Sequence, residues 1–103
     1  FAKIGGEMVS LGAVESAIAA LLPEDAEVLA TALPDGKKGE RVVMLFAGTI
    51  EQEQLKELIE QSDLKPLMRP SELLAVDGIP KLGSGKNDFS RAKQIALEKA
   101  TQS

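Results

Sequence analysis

Arg41-Val42-Val43-Met44-Leu45-Phe46-Ala47 is the stretch on which the fold turns. It is a nearly unbroken apolar run, rich in β-branched and aromatic residues and only seven residues long. Such a run is too short for a buried helix of ordinary length and reads as a strand covered on both faces. On its N-terminal side, Pro34-Asp35-Gly36-Lys37-Lys38-Gly39 gathers the residues that break and turn a chain. Before that, Val28–Leu33 is a second apolar run. The two runs predict an antiparallel hairpin, with Lys37 and Lys38 as exposed turn charges.

On either side of this hairpin, helical spacing replaces strand patterning. Ser10 is placed to cap a helix running to about Leu22, with Leu11, Val14, Ile18 and Leu21 on one face and Pro23 beyond its end. Thr49 and Gln52 have capping-box spacing. They open a helix to about Glu60 that buries Leu55, Leu58 and Ile59. Pro66 and Pro70 predict an extended connection, and Glu72–Val76 a third strand. Ile79–Lys86 is a glycine-rich loop. Asn87 or Asp88 then caps a helix to about Ala100 with Phe89, Ala92 and Ala96 facing inward. At the other end, Gly5-Gly6 between two short apolar stretches predicts a tight two-stranded hairpin, because glycine reaches the positive φ values of such turns. The expected fold is α+β: a small mixed sheet of about three strands covered by three helices, with an N-terminal two-stranded hairpin set apart from it. Residues 1–103 form a single domain.

Composition narrows the chemistry. Cys, His, Trp and Tyr are all absent. A thiolate nucleophile, a histidine base and a zinc site of nitrogen and sulfur ligands are therefore excluded. The net charge of −4 and three aromatic residues do not suit nucleic-acid binding. No apolar run approaches the roughly 20 residues of a membrane span, so neither a nucleic-acid partner nor membrane contact is expected. Lysine, arginine, carboxylates, hydroxyls and backbone amides remain.

The local feature best suited to chemistry is Pro80-Lys81-Leu82-Gly83-Ser84-Gly85-Lys86. Gly83, Ser84 and Gly85 let the backbone approach a ligand closely. The loop leads into a helix N-terminus, which favours anions, and Lys86 adds a positive charge on a flexible stem. A P-loop needs glycine five residues before the Gly-Lys pair and a hydroxyl residue after it. Here those positions are Pro80 and Asn87, so the P-loop reading fails. Taken alone, the loop equally describes a surface turn with a solvated lysine. The opening hairpin, with Lys3, Gly5, Gly6 and Glu7, equally describes a structural hairpin with charged edges. The carboxylates Glu51, Glu53, Glu57 and Glu60 read as a wet helix face.

Together the two segments say more than either alone. Lys3–Ser10 followed by Val14-Glu15 resembles a core motif of the acyl- and aryl-adenylating ligases: a lysine, two spacers, a glycine, an apolar strand, then an apolar-Glu pair on the first helix. Pro80–Lys86 resembles the same superfamily's last motif, Pro-Lys-Thr-x-Ser-Gly-Lys. Order and separation are similar, and the resemblance covers essentially the whole chain. Within the superfamily the wording looks closest to bacterial acyl-[acyl-carrier-protein] synthetases fused to a 2-acylglycerophosphoethanolamine acyltransferase. There are departures: Leu82 stands where the family often has Thr, Asn87 where an apolar residue is usual, and Phe89 where Arg is frequent.

The resemblance implies a mobile C-terminal domain whose large N-terminal adenylation domain, with the ATP-binding loop, is not in this sequence. It implies a two-step reaction. A fatty acid and ATP, with Mg, give an acyl-adenylate and pyrophosphate. The phosphopantetheine thiol of acyl carrier protein then takes the acyl group. By resemblance, Lys86 is the catalytic lysine of the first step, and Gly5, Gly6 and Glu7 line the pantetheine channel in the second. The parent enzyme is expected at the cytoplasmic face of the bacterial inner membrane. Two other readings stay open. One is a non-catalytic module that docks a carrier protein, with Lys81, Lys86, Arg91 and Lys93 as a basic patch, or that mediates dimerisation. The other is a free-standing phosphate-binding protein.

Overall fold

The computed structural model describes residues 1–37 and 39–101. In chain order the elements are β1 (Ala2–Ile4), β2 (Glu7–Val9), α1 (Leu11–Ala19), β3 (Glu27–Asp35), β4 (Gly39–Ala47), α2 (Gln52–Gln61), a 3-10 turn (Pro66–Met68), β5 (Glu72–Ala75) and α3 (Phe89–Thr101). β4 is the hub. β3 pairs with it antiparallel over its whole length, from Glu27 opposite Ala47 to Asp35 opposite Gly39. β5 pairs with it in parallel, from Val43 opposite Glu72 to Phe46 opposite Ala75. β1 joins it through Ile4 opposite Gly39, so the N-terminal hairpin is attached to the sheet and is not separate from it. The α+β architecture holds, with five strands once the hairpin is counted.

The double burial expected of Arg41–Ala47 follows from the two-residue period of a strand. Val42, Met44 and Phe46 turn to one face, where they pack with Val14 and Ile18 of α1 and Leu55 and Ile59 of α2. Val43, Leu45 and Ala47 turn to the other, against Leu29, Leu33 and Ile79 and Ala92 and Ala96 of α3. Each fully buried aliphatic side chain contributes roughly 1.5–3 kcal/mol of transfer free energy. A domain with three aromatic residues therefore holds two aliphatic half-cores, one on each side of a single strand.

Several local expectations are corrected. α1 stops at Ala19, so Leu21 falls in the following turn and is exposed, while Leu22 packs against the core in its place. Thr49 does not cap α2. Its N–H and hydroxyl both bond the carboxylate of Asp25, and Glu51 occupies the cap position without a side-chain bond. Those bonds, the hydroxyl first, hold the Asp25 carboxyl below the usual aspartate range. Phe89 is not part of the core: it is 54% exposed and lines a groove with Phe1 and Leu11. The stretch between Pro66 and Pro70 includes a 3-10 turn as well as extended residues. Lys37 is exposed as expected, and Lys38 lies outside the described residues.

β3 borders the sheet, and its free edge is partly closed by α1. Burial raises the pKa of Glu15, opposed by a bond from the Ala30 N–H to its carboxylate. The Ala30 N–H therefore points away from β4. Pro34, four residues on, shares that outward parity, so its missing N–H removes no ladder bond. A carboxyl whose folded-state pKa is raised favours the folded state at pH values below its unfolded pKa, and that contribution is lost as pH rises through the folded value. Glu15→Gln keeps an acceptor for Ala30 without the half-buried charge. Urea midpoints are expected to rise modestly at pH 7, with the gain over the parent chain vanishing as pH falls below the ordinary glutamate range. An equal gain at both pH values would assign the effect to packing.

Candidate functional site

The loop before α3 is a closed hairpin. Lys81 and Asn87 lie opposite one another as an antiparallel bridge. Inside them the Leu82 N–H donates to the Lys86 carbonyl at 2.7 Å, and the Gly85 N–H donates to the Leu82 carbonyl at 2.9 Å. This is the three-residue loop in which a turn is followed by a left-handed residue. Gly85, at φ +90°, fills that position, and Gly83 has no positive φ. Outside the bridge, the Asp88 N–H donates to the Pro80 carbonyl at 2.9 Å. Asp88 is also the helix cap, its carboxylate accepting the Arg91 N–H at 3.0 Å.

This geometry changes what the loop offers. The anion-favouring end of α3 already holds the Asp88 carboxylate, so that terminus is not open in the way the sequence suggested. Lys86 is the group left to meet an anion. It follows the left-handed glycine directly, is exposed, and its ammonium has no partner among the described residues. Lys81 differs. Its Nζ bonds Asn87 Oδ1 at 2.8 Å and lies 3.4 Å from Glu27 Oε2 at the start of β3. Arg91 bonds Gln94, and Lys93 faces a groove it shares with Phe1, Leu11, Glu15 and Phe89. The four cations between residues 81 and 93 thus have four different surroundings. Among the described residues, no three carboxylates gather in a way that could hold a metal ion.

The N-terminal hairpin turns as its glycines predict. Gly5 at φ +58° and Gly6 at φ +89° form the two-residue turn with both φ positive. Space around both is open. Glu7 is exposed and lines, with Met8, Lys65 and Leu67, a groove of about 570 Å³ beside β2. The Lys3 N–H donates to Glu40 at 2.8 Å, which ties the hairpin to β4. Val14 is fully buried and Glu15 bonds the β3 edge, so packing accounts for both members of the Val14-Glu15 pair.

The structure does not bring the two segments together. The hairpin turn lies beyond Gly39, which pairs with Asp35. The Lys86 loop is tethered to Glu27. From Glu27 to Asp35 is eight residue steps along β3, about 26 Å at roughly 3.3 Å per residue. Both segments are surface turns, at opposite ends of one rigid ribbon. The tether of Lys81 to Asn87 and Glu27 was not foreseen; the signal available was the equal spacing of Lys81 and Asn87 about Gly-Ser-Gly, which places them across a tight turn.

Comparison with known proteins agrees with this fold. Residues 13–86 match the family described as the AMP-binding enzyme C-terminal domain. Over 82 residues the chain is 33% identical to a 2-succinylbenzoate–CoA ligase of Lactococcus lactis, spanning 80% of this chain and 18% of that protein. An acyl-CoA synthetase of Brucella canis superposes with a TM-score of 0.81 at 23% identity, covering 96% of this chain and 19% of the other. A fatty acyl CoA synthetase of Mycobacterium tuberculosis gives 0.76 at 24%, covering 89% and 18%. ATP-bound MatB of Rhodopseudomonas palustris gives 0.77 at 23%, covering 90% and 19%. The chain therefore corresponds to less than a fifth of the length of each of these relatives.

Proposed function

This chain belongs to the AMP-binding enzyme C-terminal domain family of adenylate-forming ligases, and we propose that it is the mobile catalytic domain of a fatty acyl ligase, presenting two different ends of itself to one active site in turn. In the first step a carboxylate oxygen of the fatty acid attacks the α-phosphorus of ATP and pyrophosphate leaves. The Lys86 ammonium stands beside the carboxylate and the α-phosphate and neutralises the charge brought together there. In the second step a thiol attacks the acyl carbonyl and AMP leaves. The hairpin at Gly5, Gly6 and Glu7 then lines the path of the phosphopantetheine arm. By the family resemblance, the fatty acid, ATP and its magnesium are held mainly by a large N-terminal domain of the same parent, and this chain contributes Lys86 as a cation for the phosphate.

The observation that carries this reading is the separation of the two turns by the length of β3, about 26 Å at roughly 3.3 Å per residue. A domain fixed in one orientation would offer one of them to a given active site. Alternation of the domain uses both. For the acceptor, the resemblance of Phe1–Glu15 and Pro80–Lys93 supports acyl carrier protein, in a bacterial enzyme of phospholipid remodelling at the cytoplasmic face of the inner membrane. Coenzyme A is the second reading, favoured by the CoA ligase at 33% identity. Thioester formation measured with each acceptor in turn decides between them.

The test of alternation uses a hairpin variant in the parent enzyme. Gly5 has a φ that asparagine tolerates, and Asn-Gly suits this turn, so Gly5→Asn keeps the hairpin folded while adding a side chain to its tip. Thioester formation from supplied acyl-adenylate is expected to slow several-fold, with ATP–pyrophosphate exchange unchanged. Equal slowing of both half-reactions, or of neither, would sink the proposal.

A further inference from the structure

We propose that Lys81 is a positioning residue for Lys86, acting through a side-chain clasp with Asn87 and Glu27 that ties the loop to the sheet; the inference rests on the adenylation role proposed for Lys86. The loop needs such a device. Gly83 and Gly85 make its backbone free in the unfolded chain and costly to order, the whole tip from Lys81 to Lys86 is exposed, and Leu82 at its start is itself 48% exposed. Two internal backbone bonds hold the tip, between Leu82 and Lys86 and between Gly85 and Leu82. Neither fixes the tip against the body of the domain.

Lys81 supplies that connection. Its ammonium bonds Asn87 Oδ1 at 2.8 Å, straight across the base of the hairpin. Asn87 is the residue after Lys86, so the bond sets the direction in which the chain leaves the lysine. The same ammonium lies 3.4 Å from Glu27, the first residue of β3. β3 is paired along its full length, so Glu27 is a fixed point. Asn87, which departs from the apolar residue usual in the resembling motif, has here the acceptor that the clasp requires. The Lys81 and Glu27 side chains are both about half exposed to solvent. Their pairing therefore adds little to global stability, and its consequence lies in the fraction of time the loop holds one arrangement.

Two readouts test this. In this chain, Lys81→Met removes the ammonium and keeps an apolar stem. Amide hydrogen exchange at Leu82, Gly85 and Asp88 is expected to quicken about five- to tenfold, the scale of one ordinary hydrogen bond because the pair is exposed, with the thermal midpoint nearly unchanged. In the parent enzyme, Lys81→Met and Asn87→Ala should each lower kcat for ATP–pyrophosphate exchange by a similar factor. KM for ATP and transfer from supplied acyl-adenylate should hold, Lys81→Arg should retain most of the rate, and the double variant should be no worse than the worse single. Unchanged amide exchange would overturn the clasp. Quickened amide exchange with full adenylation would overturn its positioning role. Additive losses in the double variant would show Lys81 acting on substrate directly, which also overturns it. Lys86→Ala, run alongside, reports separately on whether Lys86 serves adenylation at all.

Discussion

Replacing Lys86 by alanine in the parent ligase is expected to lower ATP–pyrophosphate exchange by roughly 10²–10³-fold while leaving thioester formation from supplied acyl-adenylate within about twofold. The size follows from the cost of removing one pre-positioned donor from a charge-developing transition state, about 3–4 kcal/mol. The selectivity follows from geometry. Lys86 sits on a hairpin tethered to the start of β3, and the other candidate segment sits past the far end of the same strand. On the proposed alternation, a domain that turns its hairpin toward the thiol carries Lys86 away. The variant should fold normally, because Lys86 is exposed and its ammonium has no partner among the described residues to lose; surface changes of that kind lie within about 0.5 kcal/mol. A loss of rate with an unchanged unfolding midpoint would therefore report on chemistry. Full exchange activity in Lys86→Ala would make the loop structural and return the domain to the reading of a docking module. Equal loss in both half-reactions would remove alternation while leaving Lys86 important.

What the sequence made legible follows from which forces act locally. Arg41–Ala47 was readable because a strand buried on both faces has no polar position to interrupt it, and the hairpin turn was readable because two adjacent positive φ values need glycine. Two features were not readable because each depends on a partner remote in sequence, and a third because of where a helix ends. Thr49 fits a capping box by spacing, yet Asp25 lies within reach of both its N–H and its hydroxyl, so the helix loses its cap to a bond between segments 24 residues apart. Phe89 keeps helical register with Ala92 and Ala96, but as the first residue of α3 it opens onto a groove lined by Phe1 and Leu11 and stays half exposed. Leu21 keeps register with Val14 and Ile18, but the helix ends two residues before it. The site divides the same way. Gly-Ser-Gly-Lys announced a turn presenting a lysine. The choice of Asp88 over Asn87 as the helix cap and the link from Lys81 to Glu27 needed the fold.

Gly48→Ala is expected to destabilise the domain by about 3–5 kcal/mol, from backbone strain of roughly 1–3 kcal/mol and a packing clash of similar size. Gly48 leaves β4 at φ +116°, a conformation closed to ordinary L-residues. A Cβ placed there would lie 2.6 Å from the Asp25 carbonyl oxygen and 2.8 Å from the Ala26 Cα. Both are backbone atoms, and relief by rotamer change is not available to them. The neighbouring bonds oppose movement as well, since Thr49 holds the Asp25 carboxylate through its N–H and its hydroxyl, and Glu27 opposite Ala47 begins the β3–β4 ladder two residues on. Small domains keep only about 5–15 kcal/mol in total, so the change should take from about a fifth of the margin to all of it. Urea denaturation of this chain measures it directly, and a shift below about 1 kcal/mol would mean that the two segments separate more easily than their packing implies. The same crossing lies next to Glu27, the fixed point of the Lys81 tether. A parent enzyme carrying Gly48→Ala that still folds should therefore lose adenylation more than thioester transfer. The Gly5-Gly6 turn is anchored at the opposite end of the ribbon, where the β3–β4 ladder beyond the damaged crossing can stay intact.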